Sequence, residues 1–425
     1  MPPIRFIHAA DLHLDAAFSG LSRDIPADFA ERLRTATFTA FRRLLDLCER
    51  ESPDFLLLAG DVYNQEDASV SAQLALRDGF RRLESLSIPV FLVHGNHDPL
   101  ASRLRSVRWP GNVTVFGELP DAVPVFRKGE GTPLAIIHGA SHASGRETRD
   151  LAALFRRTEA YGLHVGLLHA TPGDADGVAR YAPFSQEDLK ASGMDYWALG
   201  HIHDRREVCR EPLAAYPGCT QGLHINEPGE KGCLLVTAEA RPDGGYAVRT
   251  SFRPLGPAVW KTLDMDLGGA ASLDELENRL RTGLDRAAAE VWSGCEMLLV
   301  RLRLQGRTEL DGLLRKGTTC AELADRLRED GSGVPRIWIK DIDVATRPCV
   351  ERGALLERED LLGEVFRLSE AARTASGLQA LREGPLAPLF AHARAGKALE
   401  PLTDEELARL LDDAESLCLD LLEND

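Results

Sequence analysis

Residues 89–99 read PVFLVHGNHDP. An apolar run of strand length meets a glycine, an amide, a histidine and an aspartate. The same grammar recurs in IRFIHAADLH (4–13), DFLLLAGDVY (54–63), LAIIHGASH (134–142), HVGLLHATPG (164–173) and YWALGHIHD (196–204). Short apolar runs closed by polar punctuation read as buried strands. Between the early ones, Asp28–Glu51 and Ser69–Ser87 carry apolar residues at helical spacing. Strand, helix and strand in alternation predict an α/β domain with buried parallel strands. Beyond Gly173 the chain turns to short strands, CLLVTAEA and YAVRTSF, which predict a second sheet.

At 425 residues the chain is too long for one ordinary domain. A break falls at Arg253-Pro254-Leu255-Gly256-Pro257. After it a strand–helix–strand–helix–strand pattern fits a small α/β domain, its helices over Ser272–Glu290 and Asp311–Arg328. From Arg347 onward the chain is helical and acidic. We therefore expect three segments, 1–255, 256–346 and 347–425. No apolar run approaches the roughly 18 residues a membrane span needs. The first strand begins without a charged segment and an apolar signal core, so the expected location is the cytoplasm. Eight cysteines without a Cys-x-x-Cys pair argue against a disulfide framework or a zinc ribbon, and read as reduced and mostly buried.

Net charge is −16, which excludes DNA binding by bulk charge. Half of that excess, 17 acidic against 9 basic residues, lies in 346–425. The basic residues are mostly arginine, which suits bidentate phosphate contacts.

In open α/β sheets functional groups gather beyond the carboxyl ends of strands. Asp11, His13, Asp61, Asn96, His169, His201 and His203 all stand there. Singly, each reads as easily as a turn residue or a hydrogen-bonded core histidine. Together they offer two carboxylates, one amide and four imidazoles, more than one catalytic metal uses. The set suits two divalent ions about 3.5–4 Å apart with one bridging carboxylate. The surplus positive charge would attract a phosphate locally, even on an acidic protein. In Ala198–Asp204, ALGHIHD, strand alternation places His201 and His203 on one face, spaced for two ions rather than one. Mixed Asn, Asp and His donors with open water positions favour manganese over tetrahedral zinc.

The ordered set DxH, GD, GNHD, H and GHxH resembles the signature of the calcineurin-like metallophosphoesterases. FIHAADLHLD, GDVYN, HGNHDP and YPGCTQGLHINEPGEKGCLLV are similar to the SbcD/YhaO group of DNA repair exonucleases within it. The resemblance implies a four-layer sandwich of two sheets flanked by helices, a small α/β capping domain, a helical tail and two manganese ions. It implies Asp11, His13 and His203 on the first ion, Asn96, His169 and His201 on the second, and Asp61 between them. It makes His97 the catalytic histidine that contacts the phosphate and protonates the leaving oxygen; a histidine beside a metal ligand suits general-acid work near neutral pH. A residue that only orients a ligand is the other reading of His97. It also implies DNA as substrate, a coiled-coil ATPase of the SbcC or YhaN kind as partner, and a homodimer. We expect the ATPase to dock on the acidic helices near Asp360–Ser376 and Thr403–Leu422.

One departure stands out. The related nucleases usually carry a histidine three residues after the bridging aspartate, linked to exonuclease action, where this chain has Asn64. An amide can donate to a phosphate but cannot shuttle a proton. Arg103, Arg105 and Arg108 read either as surface arginines or as a phosphate-tracking patch. His8, His94, His138 and His142 read as core or supporting histidines, and Asp98 as a cap. Two other functions fit the residues: hydrolysis of a small phosphodiester or nucleotide, and a scaffold that kept the fold. Intact ligand positions count against the scaffold.

Overall fold

The computed structural model describes residues 2–21, 25–64, 69–101, 107–127, 129–173, 180–242, 244–329, 333–349, 352–391 and 402–423. Fifteen strands are described: β1 Ile4–Ala9, β2 Phe55–Ala59, β3 Val90–Val93, β4 Val113–Val115, β5 Asp121–Val125, β6 Ala135–Ala140, β7 Leu163–His169 and β8 Tyr196–Gly200, then β9 Arg206–Arg210, β10 Leu213–Tyr216, β11 Gly232–Ala240, β12 Tyr246–Pro254, β13 Ala258–Asp266, β14 Met297–Thr308 and β15 Arg336–Pro348. They form two six-stranded sheets, ordered β12-β11-β1-β2-β3-β4 and β5-β6-β7-β8-β10-β9, and a three-stranded sheet ordered β13-β14-β15. Strands β1 to β4 run parallel, as do β6, β7, β8 and β10.

Strand alternation sorts the side chains into layers. Ile7, Ala9, Leu56 and Leu58 turn outward onto residues of the helices Ala36–Glu51 and Val70–Ser85, among them Leu44, Cys48, Leu76 and Phe80. Phe6, Phe55, Leu57 and Phe91 turn inward against Ile137, Val165, Leu167 and Tyr196 of the second sheet. The outer face of that sheet, with Leu168, Trp197 and Leu199, is covered by Phe155 and Leu189. This is the expected four-layer sandwich.

Two expected helices are broken. The stretch Asp28–Glu51 divides into Ala27–Arg34 and Ala36–Glu51, because the Thr35 hydroxyl donates back to the Glu31 carbonyl and the backbone leaves helical geometry there. Asp311–Arg328 divides into Asp311–Leu314 and Thr319–Glu329, with Gly317 in the interruption.

Contacts group the chain into two compact units. One holds Met1–Thr262, Arg286–Arg301 and Gly331–Lys340; the other holds Leu263–Asp285, Leu302–Asp330 and Asp341–Asp425. In the first, Trp260, Met297, Leu299 and Trp338 pack with Phe29, Leu33 and Ala36. In the second, Leu362 and Phe366 of helix Leu361–Ala372 pack on Leu419 of helix Asp404–Glu423. Arg352 and Arg373 fasten those helices by converging on the buried Glu415. The eight cysteines are free, five of them buried. Among the described residues no helix is long and apolar enough to cross a membrane.

Candidate metal centre

Strands β1, β2, β3, β7 and β8 all end at one edge of the sandwich, and their last turns carry the candidate ligands. Ligand atoms of Asp11, His13 and His203 lie within 4.8 Å of one another, and so do those of Asp61, His169 and His201. Asp61 links the groups: its Oδ2 is 3.3 Å from His169 Nε2 and 4.0 Å from His13 Nε2. Asn96 Oδ1 is 3.0 Å from His169 Nε2. The structure thus brings all seven together.

The backbone is strained to do so. Asp11, His13, Asp61 and His201 hold φ of 50°, 41°, 49° and 104°. Non-glycine residues rarely occupy that region, and such strain clusters at functional sites. The glycines of the motifs have a steric cause. A Cβ on Gly95 would stand 2.3 Å from Asp61 Oδ1, and one on Gly200 would stand 1.8 Å from the Ala59 carbonyl oxygen.

One expectation needs correcting. His201 and His203 do not alternate on a strand, because β8 stops at Gly200. The His201 N–H leaves the sheet and donates to both oxygens of Asp11, at 3.2 and 3.1 Å. That turn, and not strand alternation, sends the two rings to different groups.

The donor chemistry fits cations. His13 Nδ1 donates to Asn64 Oδ1 at 2.6 Å, and His203 Nδ1 donates to Glu227. Both Nε2 lone pairs then face each other at 3.1 Å. His169 Nδ1 donates to the Ala59 carbonyl at 2.9 Å, so its Nε2 faces two oxygen acceptors, Asp61 Oδ2 and Asn96 Oδ1. Acceptors aimed at one another in a buried site repel unless a cation lies among them. A proton can serve in place of a cation there. Burial opposes charge on His169, yet Asp61 and Asp11 lift it to about 9. Burial likewise opposes charge on Asp61, and His169, His13 and His97 still hold it below the usual carboxylate range. Asp11 is pushed up by burial, with the Asp61 charge adding to the effect. A divalent ion replaces such protons when it binds.

Around this core lie the remaining candidates. His97 is exposed; its N–H donates to Asp61 Oδ1 at 2.9 Å, and its ring stands edge-on to His13 with centroids 5.2 Å apart. Asp98 accepts from the N–H groups of Asp61, Val62 and Gly95 and pairs with His94, so it caps the turns that carry the ligands. His142 Nε2 donates to the His169 carbonyl at 2.6 Å. His8 is held between the Tyr196 hydroxyl and the Leu199 carbonyl, and burial takes it down to about 3. His138 bonds His164 in the core. Asn64 spends its carbonyl oxygen on His13, which makes it a support for that ring. Arg108 is exposed, while Arg103 and Arg105 lie outside the described residues.

Comparison with known proteins places the chain in a family. Residues 4–205 match the calcineurin-like phosphoesterase family, and residues 260–347 match the middle domain of the metallophosphoesterase YhaO. The uncharacterized metallophosphoesterase YhaO of Bacillus subtilis is 34% identical over 388 residues, covering 90% of this chain and 91% of its own. The chain belongs to the metallophosphoesterase family. It is a hydrolase whose divalent-metal chemistry acts on phosphate esters. The DNA double-strand break repair protein Mre11 of Aeropyrum pernix is 28% identical over 313 residues, covering 68% of this chain and 69% of its own. A solved Thermus thermophilus structure covers 59% of this chain and 99% of its own, at 14% identity and a TM-score of 0.34, too slight a likeness to argue from.

Sequence reasoning missed two residues of this metallophosphoesterase. Glu227 holds His203 by its Oε1 while its Oε2 accepts from the Leu223 N–H at 2.7 Å. Burial opposes its charge, but His203 brings it down to about 2. Lys231 Nζ donates to the His203 carbonyl at 3.1 Å and to Asp204 at 2.9 Å. Both sit in HINEPGEKG, where an acid and a base inside a Gly-Pro loop downstream of GHIH were the available signal.

Proposed function

We propose that this metallophosphoesterase is a manganese-dependent DNA nuclease, exonuclease or endonuclease, that hydrolyses phosphodiester bonds in DNA repair alongside a coiled-coil ATPase. The observation that carries the two-ion reading is the set of inward lone pairs: His13 Nε2 against His203 Nε2, and His169 Nε2 against Asn96 and Asp61. In this reading Asp11, His13 and His203 would hold one ion and Asn96, His169 and His201 the other, with Asp61 serving both. The pair, when bound, polarises the phosphate and lowers the pKa of the attacking water. The protein's own part is to fix the donors. Asn64, Ala59 and Glu227 set the tautomers of His13, His169 and His203, so that each Nε2 faces inward. His97, exposed and tied through its N–H to Asp61, donates a proton to the leaving oxygen.

Residues 256–346 act as the capping domain and 347–425 as the ATPase-docking region. What supports the docking region is its exposed leucine pattern. Leu410, Ala414, Leu417 and Leu421 of helix Asp404–Glu423 are exposed at the four-and-three spacing of a coiled-coil seam, as are Leu361 and Leu368, seven apart. A homodimer through the phosphoesterase domain and a cytoplasmic location belong to the same proposal.

The test compares linear duplex DNA, single-stranded circles and bis-p-nitrophenyl phosphate, each with manganese, magnesium or zinc. Cutting of the DNA substrates, best with manganese, is expected. Turnover of the small ester alone, even with the ATPase present, would replace this reading with a small-molecule phosphodiesterase. Leu417→Glu should release the ATPase; unchanged co-purification would remove the docking assignment.

A further inference from the structure

Directly after the GHIHD turn come two arginines that the metal chemistry does not use. Arg205 and Arg206 are exposed, and among the described residues neither guanidinium has a carboxylate partner within 4.0 Å. Each lies on an aromatic ring instead. The Arg205 guanidinium sits 4.0 Å from the centroid of Phe252, and that of Arg206 sits 5.5 Å from the centroid of Tyr216. The two pairs wall a cavity of about 240 Å³ whose floor is Ala215, Tyr216 and Leu234, all buried, with Glu207 and Thr250 at its rim.

The cavity adjoins the metal centre. Arg205 is two residues from His203, so their Cα atoms are at most about 8 Å apart. The Tyr216 hydroxyl donates at 2.6 Å to the carbonyl of Ala170, the residue after His169. Both links put the edge of the cavity beside the turns that carry the candidate ligands.

We infer that this cavity is a nucleotide subsite, holding an unpaired nucleobase beside the scissile phosphate. The inference rests on the proposed nuclease reading. A cavity of about 240 Å³ has room for a base, and the guanidinium stacked on Phe252 offers it a flat partner of any sequence, as single-strand binding surfaces do. Arg206 supplies a charge free to meet the adjoining phosphate. Both arginines are spared the cost of breaking an ion pair on binding. A closed duplex cannot present an unpaired base, so the pocket selects single-stranded or frayed ends.

The test uses full-length metal-free protein and fluorescence anisotropy with two labelled oligonucleotides of equal length, one normal and one abasic at consecutive positions. Wild type should bind the normal strand more tightly. Arg205→Ala should weaken the normal strand about tenfold and leave the abasic strand within about twofold. Arg206→Ala should weaken both and lower the salt slope by about one phosphate contact. Thermal midpoints equal to wild type would show the variants folded; if Arg205→Ala does not fold, Arg205→Lys keeps the charge but loses the flat stack, with the same prediction. Wild-type binding that is tight but unchanged by Arg205→Ala or Arg205→Lys would overturn the subsite and leave the nuclease reading standing. Failure of wild type to bind or cut any DNA would overturn both.

Discussion

Glu227→Gln offers the sharpest check on the metal centre, because its effect should fall on one ion of two. The carboxylate serves three donors with two oxygens: Oε1 faces His203 Nδ1–H and, at 3.3 Å, His224 Nε2, while Oε2 accepts from the Leu223 N–H. Glutamine has one oxygen and one NH₂, so one of those donors must face a donor. If His203 is the loser, its Nδ1–H is no longer held and the tautomer that turns Nε2 inward is no longer enforced. If Leu223 is the loser, a backbone N–H in the same loop goes unpaired. Either way a hydrogen bond to a charged group is lost, about 1.5–3 kcal/mol. Expressed in affinity, that is roughly tenfold to a hundredfold, the range typical for residues that orient a metal-bound histidine. Calorimetric titration of manganese into metal-free protein should show one site weakened by that factor and the other near wild type. Equal weakening of both sites, or none beyond about twofold, would refute the assignment of Glu227 to the His203 group alone.

Three further outcomes follow from the same geometry. His97→Ala should retain both ions in that titration while losing on the order of 10²–10⁴ in turnover, the usual share of a general acid; a variant cutting at wild-type rate would remove its catalytic role. Gly95→Ala places a Cβ against Asp61 and His169. It should cost about 1–3 kcal/mol in thermal denaturation and weaken metal binding as well, and a fully stable variant with intact metal sites would contradict the packing described. Burial carries His138 down to about 4, with the charges of His164 and Arg157 acting in the same direction. The folded state therefore resists a proton that the unfolded chain takes up near 6.5. The stability this group contributes is present above 6.5 and is lost as pH falls from there toward 4. His138→Gln, which keeps a donor for His164 and does not titrate, should flatten the melting temperature across that window; an unchanged pH profile would count against it.

The ligand set was legible in the sequence because each member sits within a few residues of a strand end. Asp61, Asn96 and His201 follow glycines that local crowding fixes, as Gly95 is by Asp61. Periodicity separated strands from helices for a similar reason, since burial on one face writes a period into the chain. Reading failed where side-chain hydrogen bonds overrode pattern. Thr35 broke a helix that its apolar spacing continued, and the Asp11 carboxylate drew the His201 N–H out of a strand that alternation extended.

What the sequence determined alone was therefore the strand-end grammar, the alternation of strands and helices and the identity of seven metal-ligand candidates; the four-layer fold and the role of His97 came with the family resemblance. Which nitrogen each histidine turns inward was decided by the tertiary structure. That choice depends on Asn64, Ala59 and Glu227, which lie 51, 110 and 24 residues from the rings they hold. The same holds for the arginine-walled cavity, where Phe252 reaches Arg205 only because β12 folds back against β11. A motif records what a residue can donate. Only the packed chain fixes where the lone pair points.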